Sequence, residues 1–218
     1  MHTPQTLIEN TRAYVEAELA GDGSGHDWWH IHRVWKMALR IAEAEGADRT
    51  VVELAALLHD IADWKFHDGD EAKGAAKVRA FLDSQDVDAA TAAHVLEIIA
   101  GLSYKGAGIA TPMRTLEGRV VQDADRLDAI GAQGIARAFA YGGAKNRLIY
   151  HPDEPPVMHG DFESYKNSRG HSINHFYEKL LLLKDRMNTP AAKAVALERH
   201  RFMEQFLERF FGEWDGKI

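Results

Sequence analysis

Apolar residues recur along this chain at the spacing of buried helix faces. Val34, Met37, Ala38, Ile41 and Ala42 follow an i, i+3, i+4, i+7, i+8 pattern, the signature of an amphipathic helix. Ile173, Phe176, Tyr177, Leu180 and Leu181 repeat it. Phe202, Phe206 and Phe210 mark a last helix, its stripe widened by Met203 and Leu207. Thr3-Pro4, Thr111-Pro112 and Thr189-Pro190 read as helix starts, a threonine N-cap followed by a first-turn proline. Thr50 with Glu53 reads as a capping box opening VVELAALLHDIAD. No stretch sustains two-residue alternation, so no sheet is expected. The fold class is all-α, a helical bundle forming a single domain over residues 1–218. The main interruption spans 142–170, with Gly142-Gly143, Pro152, Pro155-Pro156 and Gly160. Irregular stretches of that length are often lids or binding loops, a surface connection being the alternative. C-terminal helices follow over about 171–212.

A few polar residues sit where this pattern predicts core. His30 precedes Val34 by one helical turn and so shares its buried stripe. His59-Asp60 ends the apolar run LAALLHDIAD, and Asp125 follows Val121 by one turn. Polar groups are normally buried only when hydrogen-bonded, paired or bound to metal. His-Asp also occurs at His26-Asp27, where Asp27 reads as an N-cap, and at His67-Asp68 in the polar turn HDGDE. Only at His59-Asp60 does the setting demand a special partner. Neighbours on a helix point about 100° apart, so both can meet one ion only at a helix end. The following Ile61-Ala62-Asp63-Trp64 is compatible with such an end. Singly, His30 reads as a hydrogen-bonded core histidine and Asp125 as a partner of Arg126 or a turn cap. Jointly, two imidazoles and two carboxylates on three helices read better as a metal site.

Composition narrows the class. The 218 residues are 45% hydrophobic and 27% charged, the profile of an ordinary globular protein. The absence of cysteine removes disulfides and thiolate metal sites and fits a reducing cytoplasm. The start, MHTPQTLIENTRAY, lacks the basic-then-apolar order of a secretory signal. The longest aliphatic runs, such as Leu180 to Leu183, are far too short to cross a bilayer. A net charge of −7 argues against a broad nucleic-acid surface while leaving room for a small cationic pocket. The expectation is a cytoplasmic protein with no nucleic-acid or membrane partner.

The order histidine, His-Asp, distant aspartate resembles the HD-domain metal-dependent phosphohydrolases. The resemblance rests on HIHRVWKMA, LAALLHDIAD and VVQDADRLDAIG and covers about 25–131. HDIADWKF, QDADRLDAIGA and INHFYEKLLLLKDRM resemble a bacterial subgroup of stand-alone HD proteins, some of them nucleotide pyrophosphohydrolases. It implies that His30, His59, Asp60 and Asp125 bind one divalent metal, and that Asp63 handles the attacking water. Asp63 is shorter than the glutamate of some relatives. The binuclear branch carries extra histidines between His-Asp and the last aspartate; only His67 and His94 lie there. A mononuclear site is therefore expected.

Imidazole and carboxylate ligands suit Mn, Fe, Co, Ni or Zn. Phosphoryl chemistry needs cations around the metal. Arg33, Lys65, Lys105 and Arg126 are the candidate phosphate contacts, and His26 a proton donor or phosphate contact. Lys145, Arg147, Lys166 and Arg169 are more simply an exposed basic loop. Trp28, Trp29, Trp64, Phe66 and Tyr104 are available to stack on a base. The expected substrate is a phosphorylated small molecule, and the subgroup resemblance alone implies a nucleoside triphosphate cleaved to monophosphate and pyrophosphate. A 5′-nucleotidase or another HD phosphoesterase, a non-catalytic nucleotide sensor and a purely structural bundle are the alternatives. The apolar C-terminal helices permit a homodimer without requiring one.

Overall fold

In this computed structural model the described residues are 3–20, 27–62, 71–102, 109–158 and 170–218. Among them every regular element is a helix, with no strand. The helices are α1 (Pro4–Glu18), α2 (Trp28–Glu45), α3 (Arg49–Leu58), α4 (Glu71–Ser84), α5 (Ala89–Gly101), α6 (Leu116–Asp128), α7 (Gly131–Ala144), α8 (Ser172–Glu178) and α9 (Pro190–Trp214). Short 3-10 segments follow α3 at Asp60–Ala62 and α8 at Leu180–Arg186. No helix of the described residues is long and apolar enough to cross a membrane.

Contacts along the chain form two compact units. The first comprises 1–104 and 111–124, the second 105–110 and 125–218, so the division falls inside α6. In the first unit α3 is central, packing on α1, α2 and α5. Every residue from Val51 to Leu58 is buried. A helix apolar all round belongs in a core. In the second unit α9 packs on α7 and on the 3-10 segment, which also meets α8.

Several helix boundaries follow local capping chemistry. Thr3 and Thr189 cap α1 and α9 ahead of a proline. Asp27 caps α2, its carboxylate accepting the amide of His30. Three expectations are corrected. Thr50 lies inside α3, whose cap is Asp48, accepting from Val51 N at 3.0 Å. Thr111-Pro112 does not start a helix: Thr111 O accepts from the buried Gln122 side chain. Thr115 caps α6 instead, accepting from Gly118 N. The buried stripe of α9 is Ala192, Ala196, His200, Met203 and Leu207, with Phe202 49% exposed. Small alanines allow close approach, while Phe206 lies at the margin and stacks on Phe176.

The described part of the long interruption, 142–158 with Gly170, is tied down. The amides of Ser172 and Ile173 donate to Leu148 O and Ile149 O, and Val157 N donates to Glu178 Oε1. Glu154 O accepts from Asn174 Nδ2 at 2.9 Å and from His171 Nε2 at 3.1 Å. Asn174 N in turn donates to His171 Nδ1, which is consistent with a single tautomer. The Tyr150 ring meets His171, Phe210, Phe211 and Trp214 edge-on. A stretch held this closely is a strap on the second unit. Residues 159–169 lie outside the described residues.

Candidate metal centre

Two helices of the first unit bring together three residues that could hold a metal ion: His30, His59 and Asp60. The Asp27 cap fixes the first turn of α2, where His30 is 1% exposed. Helix α3 ends at Leu58, His59 still has helical φ −61 and ψ −42, and Asp60 opens the 3-10 turn. The change of helix type therefore falls between the adjacent ligands, as a shared ion requires of neighbours about 100° apart in an α-helix. His59 and Asp60 are both buried.

The Asp60 carboxylate spans the two imidazoles. Its Oδ2 lies 3.4 Å from His30 Nε2, and its Oδ1 lies 3.4 Å from His59 Nε2. One ligand atom from each residue lies within 4.8 Å of the others. Two ligands about 2.1 Å from one ion, at the tetrahedral angle, stand about 3.4 Å apart. The separations are long for hydrogen bonds and right for donors around a cation. The rings of His30 and His59 are 5.4 Å apart and inclined at 71°, so they converge without stacking.

Ala56 O, 2.8 Å from His59 Nδ1, decides the tautomer. A carbonyl only accepts, so Nδ1 carries a proton, and in the neutral ring Nε2 presents its lone pair toward Asp60. Such a backbone contact is how metal-binding histidines are oriented. The residues present thus fit a divalent cation in donor type, spacing, burial and tautomer.

The other expected residues are placed as follows. Asp125 is half-buried on α6, at the first position of the second unit after the division. Arg33 is half-buried on α2, one turn from His30. Arg126 is buried, and its guanidinium donates to Arg186 O within the second unit. His26, Asp63, Lys65 and Lys105 lie outside the described residues, as do His67, Trp64, Phe66, Tyr104, Lys166 and Arg169. His94 is half-buried, its Nε2 lying 2.9 Å from Thr115 Oγ1. Lys145 and Arg147 lie over the Tyr141 ring.

Also on α2, His32 sits among the indoles of Trp28, Trp29 and Trp35. Burial, then the charges of Lys36, Arg12 and Arg33, hold its imidazole below the usual range. Trp29 is 62% exposed. Sequence reasoning misassigned Glu53. Assigned to a capping box, it is 6% exposed and accepts from Trp35 Nε1 at 3.1 Å and Arg49 Nε at 3.3 Å. The signal was present: it is the one charged residue in VVELAALL.

Residues 28–130 match the model of the HD domain. The YpgQ protein of Bacillus subtilis is 42% identical over 202 residues, covering 92% of this chain and 90% of its own. A crystal structure of an HD-superfamily hydrolase from Bacillus thuringiensis is 51% identical, with a TM-score of 0.79, covering 98% of this chain and 99% of its own. The crystal structure of YpgQ in complex with ADP is 38% identical, with a TM-score of 0.75, covering 94% of this chain and 97% of its own.

Proposed function

The chain belongs to the HD-domain superfamily of hydrolases, and from that premise we propose that it is a divalent-metal-dependent nucleotide phosphohydrolase. The observation that carries the reading is the convergence of His30, His59 and Asp60 at ligand spacing in a buried setting. Asp125 completes the set on the strength of the sequence resemblance. The ADP complex of YpgQ supports a nucleotide as the ligand class.

When bound, a divalent cation polarises a phosphoryl oxygen and lowers the pKa of a coordinated water. The chain supplies the rest. His59 is held through Nδ1 by Ala56 O, so its Nε2 stays aimed at the site during turnover. Asp63, three residues after Asp60, accepts the proton of the attacking water. Arg33, Lys65, Lys105, Arg126 and His26 neutralise the charge of the phosphates, the main requirement of phosphoryl transfer. The favoured reaction is attack of water on the α-phosphorus of a nucleoside triphosphate. The bond from that phosphorus to the bridging oxygen breaks, leaving monophosphate and pyrophosphate.

A panel of nucleoside tri-, di- and monophosphates, assayed with Mn, Fe, Co, Ni, Zn and Mg, tests this directly. Pyrophosphate from triphosphates is the expected product. Orthophosphate from monophosphates would replace the reading with a 5′-nucleotidase. Tight nucleotide binding without turnover under any metal would make the protein a sensor.

A further inference from the structure

Helix α3 poses a problem that its apolar residues cannot solve. A helix with a single apolar stripe is set in rotation by that stripe, but Val51 to Leu58 are buried on every side. Leucine, valine and alanine around the whole circumference attract the neighbours without direction. Yet α3 must present His59 at ligand spacing from His30 on α2, and metal ligands tolerate errors of only about 0.2 Å. Rotation by one residue, about 100°, or a slide of one turn, about 5.4 Å, would separate them.

Glu53 is the one polar side chain in that buried stretch. Its Oε1 accepts from the indole Nε1 of Trp35 at 3.1 Å, a buried and directional bond between α3 and α2. The ion pair with Arg49 is of another kind: Arg49 is 72% exposed, so that contact adds little. Trp35 shares its helix with His30, and Glu53 lies on the helix that His59 caps. The same helix pair therefore carries both the ligands and the bond. In coiled coils a single buried polar residue can specify register.

We propose that Glu53 is a positioning residue for the metal centre: its bond to the Trp35 indole sets α2 against α3 and so holds His30 and His59 at ligand spacing. The inference rests on the metal-centre reading above. It assigns Glu53 no contact with the ion or with substrate.

Calorimetric titration with Mn²⁺, with the melting temperature recorded for each protein, is the test. Glu53→Gln keeps a carbonyl oxygen for the indole and is expected to bind within about twofold of wild type. Glu53→Leu fills the space without an acceptor, and Trp35→Phe removes the donor. Each should weaken Mn²⁺ binding about tenfold, including where its melting temperature is unchanged. The double variant should be no weaker than either single one, because both remove the same bond. Wild-type Mn²⁺ affinity in either Glu53→Leu or Trp35→Phe would overturn the proposal and leave Glu53 a stabilising residue only. Failure of the wild-type protein to take up Mn²⁺ would be a different result, removing the metal centre itself.

Discussion

His59 donates its Nδ1 proton to Ala56 O, and that bond decides which ring nitrogen faces Asp60. The same control of protonation by surroundings acts elsewhere on His175. Burial, then the charges of Lys179 and Arg147, lowers its pKa to about 3 from the ordinary 6.5. The unfolded chain takes up a proton below pH 6.5 while the folded one does not, so acid favours unfolding. The contribution of His175 to stability is complete above pH 6.5 and is lost as the pH falls from 6.5 towards 3, at about 1 kcal/mol per pH unit. Urea unfolding at pH 7.5, 6 and 5 should show this loss, and His175→Gln should flatten it. Parallel curves for the two proteins would assign the acid sensitivity to other groups.

At the scale of elements, α7 carries two glycines of opposite consequence. A methyl group at Gly134 would lie 2.2 Å from the backbone oxygen of Ala129, whereas one at Gly143 would meet nothing within 4 Å. Backbone cannot yield as a flexible side chain does. Gly134→Ala is therefore expected to destabilise by about 2 kcal/mol. Gly143→Ala should be neutral or stabilising by up to about 1 kcal/mol, since alanine loses less chain entropy in a helix. Thermal melts of the two variants separate these outcomes. The break from α3 into its 3-10 turn is the other decisive feature of an element. Without it His59 and Asp60 would diverge; with it both face His30.

For the whole molecule, ligand binding and stability are linked. A cation that binds the folded chain and not the unfolded one stabilises it by about 2.7 kcal/mol at a hundred times its Kd. Mn²⁺ should therefore raise the melting temperature of the wild-type protein, and a chelator should reverse the shift. His59→Ala should melt at the same temperature with and without Mn²⁺, because removing one of the two buried imidazoles takes away a principal donor of the proposed set. An equal shift in both proteins would place the cation elsewhere. Partition of the chain into two compact units also belongs to this scale. Hydrophobic periodicity could not reveal it, because apolar stripes look alike whichever unit they serve.

Much of the protein was determined locally. The all-α class follows from 3.6-residue periodicity, and Thr3, Asp27 and Thr189 cap their helices because a cap needs only its own first turn. His59-Asp60 was separable from the other His-Asp pairs because its neighbours are uniformly apolar. Other assignments depended on partners distant in sequence. Thr111 failed as a cap because Gln122 holds its carbonyl, and Phe202 was displaced from the core of α9 by alanines. Glu53 could pass for a capping residue until Trp35, eighteen positions earlier, was seen to donate to it. Sequence by itself determined which residues can ligate a cation, since donor chemistry belongs to the side chain. Only the tertiary structure decided that His30 comes within 3.4 Å of the Asp60 carboxylate and joins His59 there, since that approach depends on how α2 packs on α3 and the turn after it.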